Sequence, residues 1–480
     1  MFRNPLNCTI VLLLSCLALA SCGGRVTSIG GTPPPDTGPV VLVMTDTPPT
    51  TVSTLAAVVT LTGATLSPGN VSLLTTPTTL ELTRLQTDVA YLSKTNVKAG
   101  NYTSLALTFT NPSLTIENDT TSAIGTCAIG AICTIPATTP STLSTTITLP
   151  TFMISTGVGA GLLVDVNLEN LLSSTLGADF KAGTSVSEFT PAGSGAPLVG
   201  AEDVVGQVAS IDTAHNTFSF APQSSLPAPS LPALTVDSTS TFYNFPTGTC
   251  ATPSILCLLD GQIVSVDISI RADGTPVARN VIFEDNNSNK TEIEGIITST
   301  NVGSQQFTIV SLSESAQFGT TGALIVGEQA TVSYNTPSAT TTFDLDFTHA
   351  DNMQLDTTCC LFRAPSDLSV GQQVQVRSII NTPGTSITAD RVRLRSSRVT
   401  ATVAPQPPDL VLSNLPSIFS GHGVTQIQAH TFTPGTIFSD HNNPTNISLI
   451  PPSSLVSVRG PLFNVSGART LVATKVVLKP

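Results

Sequence analysis

The chain has 480 residues and a formal net charge of -12, from 19 Lys and Arg against 31 Asp and Glu. Charged residues make up 10% of it, against roughly 25% in an average soluble protein. There is no positive field to displace counterions from a phosphate backbone, so a nucleic-acid partner is excluded, and the scarcity of Glu, Lys and Arg argues against a long coiled coil.

In chain order, Met1-Phe2-Arg3-Asn4 leads into an apolar run from Thr9 to Ala20. One Arg before a run shorter than the ~20 residues of a membrane span has the form of a secretory signal. The run ends Leu19-Ala20-Ser21-Cys22-Gly23, which resembles the bacterial lipobox. That resemblance implies cleavage before Cys22 and a diacylglycerol on its sulfur; the alternative is an ordinary signal with an unmodified Cys22. Gly23 in place of Asp favours the outer membrane, so the expected address is the bacterial cell envelope, lipid-anchored. Residues 1–21 are then the signal peptide. Residues 22–39, rich in Gly and Pro and without apolar periodicity, are a tether.

From residue 40 onwards Thr, Ser and β-branched residues dominate, with Pro and Gly at short intervals, a composition of short strands and turns. Leu105, Leu107 and Phe109 alternate with Ala106 and Thr108, as a half-buried strand does. A short helix is expected over Thr83 to Ser93, where Leu82, Leu85, Val89 and Leu92 share one face, and a second near Asn167 to Leu176. Residues 190–200 (TPAGSGAPLVG) read as a hinge between two halves.

The second half repeats. Gly206 and Phe218 are separated by the same interval as Gly295 and Phe307. Gly261-Gln262-Ile263-Val264-Ser265-Val266 parallels Gly371-Gln372-Gln373-Val374-Gln375-Val376. Both copies close on Ala-x-x-Val-x-apolar, at Ala278, Val281, Phe283 and at Ala389, Val392, Leu394. A degenerate third copy carries Val456, Val458, Ala473, Val476 and Leu478, and its opening near Val399 to Val403 lacks the glycine. The expected class is all-β: a β-sandwich over 40–189, a linker over 190–200, then small OB-like β-barrels over 201–286, 287–397 and, in degenerate form, 398–480. Closing a sheet removes edges that such short strands otherwise expose.

These repeats resemble the bacterial domain-of-unknown-function 5666 family over about Glu202 to Pro480. The first half resembles the domain-of-unknown-function 4382 family. The residues that carry this second likeness are Val40-Val41-Leu42-Val43-Met44-Thr45-Asp46-Thr47-Pro48, Val97-Lys98-Ala99-Gly100-Asn101-Tyr102 and Leu162-Leu163-Val164-Asp165-Val166. It implies a β-sandwich of secreted bacterial lipoproteins, with the segment between Asn118 and Ser141 as a departure. Neither family implies a reaction.

Six cysteines follow Cys22, an even number that suits an oxidising compartment. Cys127 with Cys133 and Cys250 with Cys257 flank turns and are candidate disulfides; Cys359-Cys360 is either a vicinal disulfide or a pair of thiols, the former open to a redox role. No GxxxxGK[ST], HExxH or GxSxG is present, and Gly157 to Gly161 reads as a turn. The weak candidates for a hard cation such as calcium are Asp344, Asp346 and Asp351, with His349 among them, and the oxygen-rich Glu284-Asp285. His422, His430, Asp440 and His441 form a second scattered set. The function expected is therefore a non-enzymatic, envelope-anchored structural or interaction module with no cofactor. Its partners are the membrane, through the lipid, and an envelope protein or glycan. The alternative is a ligand-binding lipoprotein for a glycan or a divalent cation.

Overall fold

The run Val40-Val41-Leu42-Val43-Met44 is apolar at every position, which suits a strand buried on both faces. It forms the strand Thr37–Thr47, parallel to Ala160–Asn167 on one side and antiparallel to Ala90–Lys98 on the other. This is a computed structural model. It describes residues 36–479 other than 50–51, 119, 136–141, 169–171, 174–176, 179–182, 190–197, 200–203, 223–233, 237–240, 246–249, 251, 272–273, 284–289, 316–323, 346–359, 381–383, 433–434 and 441–442. The signal peptide, almost all of the tether and most of the 190–200 linker thus lie outside the described residues.

Thr184–Phe189 completes a four-stranded sheet with these three strands. A second sheet is built on Ser53–Ser67 paired with Gly100–Glu117, flanked by Thr78–Glu81 and by Ile132–Ile135 and Thr142–Ile154. Val40, Leu42 and Met44 of the first sheet share a core with Val59, Leu61, Leu107 and Phe109 of the second, so the two sheets form a sandwich. The expected helix over Thr83 to Ser93 is corrected. Only a single 3-10 turn, Leu82–Gln86, forms, and the chain then enters the strand Ala90–Lys98. Leu82 and Leu85 face the core as expected, but pairing with Thr37–Thr47 prevails over the helical spacing of Val89 and Leu92. Most of the second expected helix lies outside the described residues; Asn167, where it was to start, ends a strand.

The barrels share one topology. In the first, the strands are Val204–Asp212, Thr217–Pro222, Leu234–Val236, Phe242–Asn244, Ile263–Ile270 and Pro276–Phe283. The first pairs with the second, the second with the third, the third in parallel with the sixth, the sixth with the fifth, and the fifth with the first. That ring of five is closed, and the fourth strand lies outside it against the sixth. The second barrel repeats every pairing with Glu292–Asn301, Gln306–Ser315, Gln329–Ser333, Thr342–Leu345, Gln373–Ser378 and Ser386–Leu394. A parallel third–closing pair in a five-stranded Greek-key ring is OB-like.

The third set, Ser396–Gln406, Asp409–Ser413, Ile427–His430, Ile437–Asp440 and Leu455–Val465, ends on a strand split into Ala468–Val472 and Lys475–Leu478. Its pairings are those of the other two. In the first barrel Gly261, at φ +82, donates its N–H to the Val208 carbonyl, and Val208 donates back to Gln262. Gly371, at φ +86, does the same with Ile297. In the third, Ser453 takes that place at φ +65 and bonds Val403 in the same way. The missing opening glycine corresponds to Ala401, paired with Val456 as Gly295 is with Val374. The third copy is degenerate in sequence and regular in topology.

One interaction recurs in all three barrels. Thr241, Thr341 and Thr436 each donate a hydroxyl hydrogen bond, at 2.7 Å, to the carbonyl of Ala278, Ala389 and Ala473 respectively. It ties the run-in of the fourth strand to the sixth. The alanines belong to the closing pattern read in the sequence; their threonine partners lie some forty residues earlier.

Residues 37–480 make one packed unit. Leu55 and Ala56 of the sandwich share a core with Val310 and Leu312 of the second barrel and with Val399, Ala401 and Val458 of the third. The hinge expected between the halves therefore does not leave them as separate beads.

Candidate functional site: a charged junction between sandwich and barrels

Period-two alternation decides which side chains the third barrel shows to the sandwich. Val399, Val456, Val458 and Val476 point into its core, so Arg398, Thr400, Ser457, Arg459 and Lys475 point out. Arg398 is directly opposite Arg459, and Arg459 is directly opposite Lys475, on three adjacent strands. Three cations side by side repel one another unless an acid meets them. Asp88, just past the 3-10 turn of the sandwich, is that acid. Its Oδ2 accepts from Arg398 Nη2 at 2.9 Å and its Oδ1 from Lys475 Nζ at 3.0 Å. All three side chains are buried. Desolvation alone would raise the Asp88 carboxyl; the Lys475, Arg398 and Arg459 charges outweigh it and hold the carboxyl far below the usual carboxylate range. Burial pulls Lys475 and Arg459 down from their ordinary values.

The same turn supplies more. The Glu81 carboxylate caps it, accepting from the backbone N–H groups of Thr83 and Arg84 and from Ala57 N at 2.9 Å. Burial pushes the Glu81 carboxyl up against those hydrogen bonds. Arg84 is salt-bridged to Glu294 of the second barrel, which also accepts from Gln373. At the end of Thr37–Thr47, Asp46 is buried and neither carboxylate oxygen has a hydrogen-bond partner. Lys479 Nζ donates to its backbone carbonyl at 2.7 Å. Thr47 Oγ1 donates to Asp165 at 3.0 Å.

Beside this network lies a cavity of ≈ 60 Å³. Its lining includes polar Arg84, Gln86, Gln373, Arg398 and Thr400 and apolar Leu55, Ile296, Leu312, Ile418 and Phe419. A cavity of that size has room for a few water molecules, each needing about 10–15 Å³ of such space. Both guanidinium groups already bond carboxylates, so the cavity's polar wall is part of the ion network.

The candidates read from the sequence lie elsewhere. Cys127 and Cys133 form a disulfide, as do Cys250 and Cys257. The first closes the loop 127–133 beside buried Asn118, whose amide donates to Cys127 O at 2.9 Å. The second pins a turn, Ile255–Cys257, from which Ile255 joins the core of the first barrel. Cys360 is disulfide-bonded and sits in the core of the second barrel; Cys359 lies outside the described residues, as do Cys22, Glu284, Asp285, Asp346, His349, Asp351 and His441. Asp344 is described, and Arg391 Nε at 2.7 Å and Arg393 Nε at 3.3 Å take its two oxygens. The carboxylate is thus spent on guanidinium groups of the neighbouring strand instead of facing a cation site. His430 lies 3.0 Å from Asp409 of the adjacent strand, a pairing that the set His422, His430, Asp440 and His441 did not include. Among the described residues no group of three or more His, Cys, Asp or Glu is arranged to hold a metal ion.

The junction was missed because its members are far apart in sequence: Asp88 and Lys475 are separated by 387 positions. A signal was nonetheless present. Ser457, Arg459 and Lys475 occupy polar slots between core valines of a repeat whose period was already evident.

Residues 37–180 match the model of a family described as a domain of unknown function, DUF4382. The chain is similar to that family over the sandwich. No curated protein matches the chain.

Proposed function

We propose that this chain is a non-enzymatic lipoprotein of the bacterial envelope, anchored to the outer membrane through acylated Cys22 and acting as a structural or interaction module. The repeats are read as members of, or close to, the domain-of-unknown-function 5666 family. One observation carries the non-enzymatic reading. The buried gathering of ionisable groups around Asp88 is consumed in joining the sandwich to the barrels. An acid–base catalyst needs groups whose opposed pKa values are turned towards a substrate. Here the depressed acid is turned towards three buried cations. The Leu-Ala-Ser-Cys ending of the leader supports the anchor, since several acyl chains hold a protein at a membrane stably at about 0.8 kcal/mol for each buried CH2.

The test is fractionation of cells that express the wild-type chain and Cys22→Ser, with mass analysis of the N-terminal peptide. Acylated Cys22 and release of the variant from the membrane fraction are expected. An unacylated wild-type N-terminus would sink the anchor. A thermal midpoint of the mature chain that rises with calcium and falls with chelator would replace the module reading with the ligand-binding one.

A further inference from the structure

Two lysines at the end of the chain reach across to two aspartates of the sandwich, and their surroundings differ. Lys475 Nζ meets Asp88 Oδ1 at 3.0 Å while Arg398 holds Oδ2 at 2.9 Å. An acid gripped by an ammonium and a guanidinium stays ionised, and that pair is a salt bridge. Lys479, four positions on, is also buried, and its Nζ donates to the Asp46 backbone carbonyl at 2.7 Å. The charges acting on Asp46 are Lys479, Asp165 and Glu81, with no guanidinium among them. Both Asp46 carboxylate oxygens are buried and unpartnered. A lone ionised carboxylate in a dry site is strongly disfavoured. Burial therefore drives Asp46 towards the neutral acid and Lys479 towards the free amine. Those are the two forms that condense to an amide.

We propose that Lys479 and Asp46 are a self-modification site, joined through their side chains by an amide bond that ties the end of the chain to the first strand of the sandwich. The Nζ lone pair attacks Asp46 Cγ. The new C–N bond forms, the C–OH bond breaks, and one water leaves. The proton shed by Nζ goes to the departing hydroxyl, which leaves as that water. No oxidant or other reactant enters. Nζ is already docked on the main chain of the residue it attacks, so torsions of the two side chains complete the approach. Such intramolecular placement is worth effective concentrations on the order of 10⁵ M or more when the geometry is good.

Peptide mapping and intact-mass measurement of the mature wild-type chain, denatured and reduced, test this directly. With the acyl groups of Cys22 counted, the expected mass is below that calculated for the chain by about 18 Da, one water. A branched peptide should contain Asp46 and Lys479, while Lys475 and Asp88 appear in separate linear peptides and serve as the internal control. Lys479→Arg keeps a cation but forms no such amide, and its mass should equal that calculated for its chain with the same acyl groups. The proposal fails if the wild-type chain shows no loss of water from its calculated mass, with Asp46 and Lys479 in unmodified linear peptides. It fails equally if the water loss maps to a linear peptide, as a cyclised aspartate would give. Neither outcome depends on the variant folding.

Discussion

Against the first barrel the sandwich presents an apolar face: Val41, Val43, Val89, Tyr91 and Leu163 close on Ile270. Against the second and third it presents, beside apolar Leu55 and Ala56, an acid and a guanidinium: Asp88 to Arg398 and Lys475, and Arg84 to Glu294. The two junctions leave the same two strands in opposite directions, since Val41 and Asp46 share one strand and Asp88 and Tyr91 flank the start of the other. Apolar burial is non-directional and tolerates small shifts in docking. An acid set among three cations accepts one register, because any slip leaves a buried charge without its partner. A chain with so few charges has placed them where orientation is decided, and has left the rest of its docking to area.

The largest effect that would break this contrast is at Asp88. Asp88→Ala leaves Arg398, Arg459 and Lys475 facing one another with no acid between them. The expected loss is about 3–5 kcal/mol, the range for breaking a buried pair by removing one partner. Denaturant unfolding of wild type and variant measures it, with two probes compared because several domains share the transition. A loss below about 1 kcal/mol would mean that water reaches these charges in solution.

Ile270→Ala strikes the other junction. Deleting a buried isoleucine costs about 2–5 kcal/mol, and the low end is expected here because an interface can close over the gap more readily than a barrel core. This variant should leave the acid limb of the stability curve unchanged. If it alters that limb, the two junctions are one cooperative unit and the contrast dissolves.

The acid limb itself is the third expectation. Asp88 has a folded pKa far below its unfolded value, which is near 3.9. Its stabilisation is therefore fully present above about pH 4 and is lost as pH falls towards the folded value. The groups facing it are Arg398, Arg459 and Lys475. Burial lowers Lys475 from its ordinary value. Asp88→Asn should flatten the loss between about pH 4 and pH 2. An unchanged slope would assign acid sensitivity to other carboxylates, of which Asp390, held down by Lys290 and Arg377, is the first to test.

What was legible in the sequence follows the same division. The alternation at Leu105 to Phe109 and the glycine-marked repeats rest on local period and turn chemistry, and became a strand and turns of the expected kind. The helical spacing at Leu82 to Leu92 misled because four apolar residues at that interval also fit one 3-10 turn followed by a strand edge. The junction was illegible for another reason. Asp88, Arg398 and Lys475 carry no mutual spacing, and what brings them together is the docking of one domain on another. Likewise the threonines that bond Ala278, Ala389 and Ala473 are too far along the chain for any local pattern to link them.

The smallest expected effect sharpens the comparison between barrels. Gly371 has φ +86, and a Cβ there would lie 2.1 Å from the Phe419 ring, so Gly371→Ala must either displace that ring or distort the turn. Ser453 occupies the matching turn at φ +65 with its side chain accommodated, and Ser454, beside it, bonds Pro451 O at 2.7 Å. A left-handed conformation costs an L-residue about 1–2 kcal/mol, and glycine gives back about 0.5–1 kcal/mol through its extra freedom when unfolded. Ser453→Gly should therefore stabilise the third barrel by about 0.5 kcal/mol, the difference between those two terms. A rise of that size in unfolding free energy, with Gly371→Ala moving the other way by more, would show that one turn geometry is required in every copy and that the third meets it under strain. A loss on Ser453→Gly would mean that the serine has acquired a role in its own turn that the glycines of the other copies do not perform.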